Sequence, residues 1–159
     1  MNKIQVLAIG SPFGLDRSAW ITANALRYNA CLKDIEIVIL DRPGVNLLDY
    51  FNQKITLIMD AVMMNDEFGK IIEYKLNQQT IKFLQHFQTP KYSTHAMGLA
   101  YSLELALALD QLPKHCYFFG FNINNPPRSK DQPIILNKFR AFRKYLQQTI
   151  IDFRCKRFV

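Results

Sequence analysis

The chain has 159 residues, 49% hydrophobic and 13% aromatic, which is enough apolar material for one domain with a real core and too much for a disordered chain. Its three cysteines, Cys31, Cys116 and Cys155, are odd in number and widely spaced, which argues against a disulfide scaffold or zinc ribbon and suits a reducing cytosol. The net charge is +7, and no apolar run approaches the roughly 18 residues of a membrane span.

Along the chain, strand and helix patterns alternate. Lys3–Ile9 is β-branched and apolar and stops at Gly10-Ser11-Pro12, a turn signal. From Asp16 to Asn29 the apolar residues recur at helical spacing. Asp34–Leu40 reads as a second strand, closed by Asp41-Arg42-Pro43-Gly44, and Val45, Leu47, Leu48 and Phe51 suggest a short helix. Ile55–Val62 is a third strand, almost wholly apolar until Asp60, and Lys70–Lys75 is a shorter amphipathic one. Residues 77–87 suggest a weak helix and Met97–Leu109 a strong one, stopped by Pro113. His115–Ile123 is a further buried strand, and 122–133 is a proline-rich loop. In a terminal helix over 134–155, Leu136, Phe139, Phe142, Leu146, Thr149, Ile150 and Phe153 line one face.

Apolar strands separated by helices predict a three-layer α/β fold: a mostly parallel, twisted, five-stranded sheet with helices on both faces. The whole chain, 1–159, is expected to form a single domain. Ligand sites in such sheets lie beyond the carboxyl ends of the strands, which directs attention to the loops after Ile9, Leu40, Val62 and Ile123.

Charge is unevenly placed. Residues 128–159 carry nine Lys/Arg against Asp131 and Asp152, while the first 127 are neutral. The ordinary reading of this basic helix is a solvated face. The functional reading is a surface for nucleic acid or an acidic protein. Phe139, Phe142 and Tyr145 follow the apolar stripe rather than the basic face, so stacking on nucleic acid is not expected.

Familiar catalytic motifs are missing. No GxGxxG follows a strand and no GxxxxGK[ST] occurs, and Ser11 lacks the GxSxG spacing. His115 and Cys116 are strand neighbours facing opposite sides, so they cannot pair as base and nucleophile. Three polar positions remain, each with an ordinary alternative. Asp60 ends an apolar strand, where a carboxylate is costly unless paired or metal-bound. His95 lies just before a strong helix and could serve its N-terminus. Asp16-Arg17 follows the first turn, where an acid also suits the helix dipole.

Their order and context resemble the hydrogenase maturation endopeptidases, which remove a C-terminal extension from the large subunit of nickel-iron hydrogenase. AIGSPFGLDRSAW stands where that family has G-N-x-x-x-x-D-[DE], and Asp41–Leu48 loosely matches its D-G-x-T-x-G-x-x-L-L segment. LIMDAV carries its D-A strand, STHAMGLAYSLELALAL its S-x-H-x-x-G-L segment, and LPKHCYFFGFNI its final helix end and strand. The resemblance spans roughly residues 3–123. It implies a phosphorylase/hydrolase-like fold, a cytoplasmic metal-dependent endopeptidase and a hydrogenase large-subunit precursor or related protein as partner. It also implies that Asp60 and His95 hold a metal, substrate-borne nickel or zinc, near a first loop with Gly10 and Ser11 and a second with Asp41 and Gly44.

The first-loop acid departs from the pattern. The family's metal-binding position falls on Arg17, and Asp16 keeps the neighbouring acid. A guanidinium offers no lone pair to a metal. At ~4 Å and an effective dielectric of 20 its repulsion from a divalent cation is of order 8 kcal/mol. Two arrangements are therefore open. With Asp16 turned inward and Arg17 outward, a ligand set of Asp16, Asp60 and His95 survives. With Arg17 inward, its charge replaces the metal, and the chain is an inactive relative that binds a protein without cutting it.

Overall fold

The computed structural model describes residues 3–52, 54–86 and 95–155, with the backbone alone at 95–97 and 129. Five strands form one sheet: β1 (Ile4–Gly10), β2 (Glu36–Asp41), β3 (Ile55–Val62), β4 (Ile71–Lys75) and β5 (Cys116–Asn122). Their order is β2-β1-β3-β5-β4. All neighbours are parallel except β4, which runs antiparallel to β5 at the edge. β1 and β3 are buried along their whole length, which explains their near-continuous apolar sequences.

Alternation along β3 assigns the two faces of the sheet. Leu57, Met59 and Ala61 belong to a core shared with α1 (Ser18–Arg27) and α4 (Gln132–Cys155). Ile58 and Val62 belong to a second core with the 3-10 segment Gly44–Tyr50, α2 (Gln78–Leu84) and α3 (His95–Ala108). Asp60 shares their side of the strand. The expected sheet covered on both faces is the one observed.

Differences from the sequence reading are local. The helix expected from Asp16 begins as a 3-10 turn, Gly14–Arg17, and becomes α-helical only at Ser18. The weak helix at 77–87 is a capped seven-residue helix. The Asn77 side chain accepts from the Gln79 and Thr80 amides at 2.9 and 3.0 Å, and the Thr80 hydroxyl accepts from the Asn77 amide at 2.9 Å, satisfying donors a short helix would otherwise leave open. The proline-rich loop shortens because α4 starts at Gln132. The α4 stripe is fully buried only from Phe142 onward, through Leu146, Ile150 and Phe153, whereas Leu136 is exposed.

Candidate functional site

The chain passes from β1 outward to β2 and then returns to β3 on the other side of β1. This reversal opens a crevice between the carboxyl ends of β1 and β3, where open α/β sheets place their ligands. Two acids enter it from different elements. Asp60 reaches it from β3, in register with Gly120 of β5. Asp16 reaches it from the 3-10 turn that follows β1.

The turn geometry settles which first-loop residue faces inward. At three residues per turn, neighbours in a 3-10 helix point about 120° apart. Asp16 is 9% exposed and buried, whereas Arg17 is exposed. Among the described residues no hydrogen bond or ion pair joins Arg17 to Asp60. Gly10 makes the tight descent into this turn possible. A Cβ there would lie 2.5 Å from the Asp16 carbonyl oxygen and 3.2 Å from Trp20 Nε1. Ser11 is buried, and its hydroxyl accepts from the Phe13 amide at 3.5 Å.

Asp60 is 2% exposed, and its Oδ1 accepts the Ala61 amide at 2.8 Å. Burial pushes its carboxyl well above the ordinary carboxylate range, and the Asp16 charge pushes it in the same direction; the Ala61 amide opposes both. A divalent cation between these acids would reverse this balance, because it stabilises both charges. Two carboxylates alone favour a hard cation, and only a mixed set with an imidazole would suit nickel or zinc. His95 is the first residue of α3, but its side chain lies outside the described residues. Among the described residues, no group of three or more His, Cys, Asp or Glu side chains could hold a metal.

Beside the acid pair lies a cleft of about 100 Å³, lined by Ile9, Leu47 and Leu99 with Arg42, Pro43, Gly44 and Gly98. Gly44 thus takes part, while Asp41, in register with Gly10, serves through its neighbour. Its Oδ1 accepts from Arg42 Nε at 2.7 Å. Arg42 adopts φ 45°, a left-handed backbone that is strained for a side chain with a Cβ. Its guanidinium pKa is raised, first by the Asp41 hydrogen bond and charge and also by Asp16. Arg42 is therefore a cation within electrostatic reach of the candidate site, a role that the sequence, in which the residue stands out only as part of a turn, does not reveal.

Asn122 was missed as well. It is fully buried at the end of β5, accepts from the Met64 amide at 2.9 Å, and donates to the Asp66 and Glu67 carbonyls at 3.0 and 2.9 Å. It fixes the segment after β3 on the same rim. The signal was available: like Asp60, it is a polar residue ending an apolar strand. Cys116 is buried and its thiol pKa is pushed upward by burial, so it is inert, while Cys31 and Cys155 are free and exposed.

Solved structures with this arrangement of elements are known. A hydrogenase maturating endopeptidase, HybD, from E. coli superposes with a TM-score of 0.63 at 17% identity, covering 92% of this chain and 93% of its own. A [NiFe] hydrogenase maturation protease, HybD, from Thermococcus kodakarensis gives 0.59 at 17%, covering 90% and 98%. A hydrogenase 2 maturation peptidase from a Thaumarchaeota archaeon gives 0.59 at 17%, covering 93% and 97%. At such identities the likeness establishes the fold. None of the curated proteins matches the chain in sequence. The profile of the hydrogenase maturation protease family, however, matches residues 34–130, more than half of the chain and inclusive of Asp60 and His95; the chain belongs to that family.

Proposed function

We propose that this protein is an endopeptidase that engages the metal of a hydrogenase large-subunit precursor and removes the precursor's C-terminal extension. The observation that carries the reading is the inward, buried Asp16 beside Asp60, with Arg17 exposed. Two carboxylates buried together are unfavourable in isolation and become favourable around a divalent cation. Nickel carried by the precursor supplies that charge and is itself part of the substrate. In this reading Asp16, Asp60 and His95 hold it, and the cleft at Ile9, Leu47 and Leu99 seats the adjoining peptide. Ion pairing to Asp41 holds the Arg42 guanidinium beside that peptide.

The test is processing of a nickel-loaded large-subunit precursor, followed as the loss of its C-terminal extension. Native protein cuts it. Asp16→Asn, Asp60→Asn and His95→Ala reduce cutting to background, and Arg17→Ala leaves it near the native rate. The reading fails if the native protein leaves the loaded precursor intact, or if Asp60→Asn cuts as fast as native. Cutting gained on removal of Arg17 would favour the arrangement in which that residue blocks the metal.

A further inference from the structure

The face of the sheet opposite Asp60 carries an unfilled groove. In the first turns of α4, Ile135 and Phe139 pack against the core while Ile134 is 49% and Leu136 52% exposed, and Ile21 on the adjacent α1 is 39% exposed. Between the two helices runs a groove of about 140 Å³ with Ile21, Ala25, Leu136 and Phe139 as its apolar lining and Arg140 and Arg143 at its side. Thr22 also lines it. Its hydroxyl is buried, with no hydrogen-bond partner among the described residues, a condition that is unfavourable.

The two helices that flank the groove carry charge of almost one sign. α1 contains no carboxylate, and the carboxylate of α4 is Asp152 in its last turn. Elsewhere on α4 the basic residues are engaged: Lys138 pairs with Glu67 at 3.7 Å and Arg154 with Asp34. No ion pair among the described residues engages Arg140, Arg143 or Lys144. An apolar trough flanked by uncompensated guanidinium groups is complementary to one kind of ligand, an apolar stripe edged with carboxylates.

We infer that the α1–α4 groove is a docking surface for an acidic, amphipathic helical segment of a protein partner. Apolar side chains of that segment lie between Ile21 and Leu136, and its carboxylates meet Arg140 and Arg143 in charge-assisted hydrogen bonds. Nucleic acid fits less well. Phe139 and Phe142 each lie 5.2 Å from Phe121 of the core, and the Tyr145 ring, though 40% exposed, is tied down by its hydroxyl, which donates to Glu73 at 2.5 Å. The groove and the Asp16–Asp60 pair lie on opposite faces of the sheet. The inference goes beyond the protease reading and does not depend on it.

The probe is a fluorescein-labelled helical peptide of about 18 residues, five turns, with leucines at i, i+3, i+4 and i+7 and glutamates elsewhere. Its anisotropy is titrated with the intact protein. Binding is expected, weakening as salt rises toward about 0.2 M. Arg140→Glu with Arg143→Glu should weaken it at least about tenfold, and so should Leu136→Asp, an exposed position whose substitution leaves the fold intact by thermal melting. The inference is overturned if the peptide does not bind, or if a scrambled peptide of the same composition binds as well. It is equally overturned if a single-stranded oligonucleotide binds more tightly and Leu136→Asp has no effect, since the surface then reads charge alone.

Discussion

The two faces of the sheet are built from the same strands and do different work. On the α1–α4 face, Phe119, Phe121, Phe142 and Phe153 join Leu57 and Met59 in a core rich in aromatic contacts. On the α2–α3 face the buried residues are mostly aliphatic, such as Leu7, Ile58, Leu99 and Leu103. That second face also receives a carboxylate, because β3 places Asp60 where alternation would put another apolar side chain. One face thus supplies stability and the other bears a local cost that a ligand can relieve. Stabilised scaffolds commonly tolerate strain at sites of this kind.

The largest expected effect follows from the first face. Phe142 is fully buried against Phe121. Phe142→Ala should cost about 3–5 kcal/mol in urea unfolding, transfer and cavity terms together. Leu103→Ala, fully buried on the opposite face, should cost less, about 2–3 kcal/mol, because fewer side chains lose a neighbour. A Leu103 variant as damaging as the Phe142 one would erase the distinction between the faces.

Most of this architecture was legible because its signals are strong and local. Ile55–Val62 shows the expected bounds, since a run buried on both faces needs no partner to be recognised. Asp60 stood out for the same reason, as a charge at the end of an apolar run. The orientation of Asp16 and Arg17 was not legible. It depends on whether the first turn is 3-10 or α-helical, and that depends on how closely Gly10 lets the chain approach β1. Nor could the sequence show that the apolar stripe of α4 is only partly buried before Phe142. Leu136 and Phe139 fit the helical period, and only the position of α1 decides whether they are covered. The Arg42 contact to Asp41 was hidden because a left-handed arginine has no sequence signature.

Gly10 links the two faces and gives the intermediate effect. Its missing side chain lies toward Trp20 of α1, while the turn it permits carries Asp16 over to Asp60. Gly10→Ala forces a shift of backbone rather than of a flexible side chain, so a loss of about 1–3 kcal/mol is expected. Processing of the precursor should fall further than stability accounts for, because Asp16 moves with the turn. Stability lost without any change in processing at a permissive temperature would show that Asp16 is not held by this contact.

The smallest effect separates the faces by pH. Burial and the Asp16 charge raise the folded-state pKa of Asp60, so the native protein keeps that proton at pH values where the unfolded chain has released it. Within that window the native state binds more protons, and stability falls as pH rises from the ordinary carboxylate range through the raised value. Asp60→Asn cannot ionise, and its side-chain oxygen can still accept the Ala61 amide, 2.8 Å away in the native protein. The variant should match native at about pH 3, where Asp60 is protonated in both states. It should gain on native as pH rises, and the gap, read as a higher melting temperature of the variant, should be widest at neutral pH. Met59→Leu, one residue away but facing α1 and α4, should shift stability by the same amount at every pH. If the Asp60→Asn difference is also flat with pH, the carboxylate is already compensated in the native protein, and the second face bears no such cost.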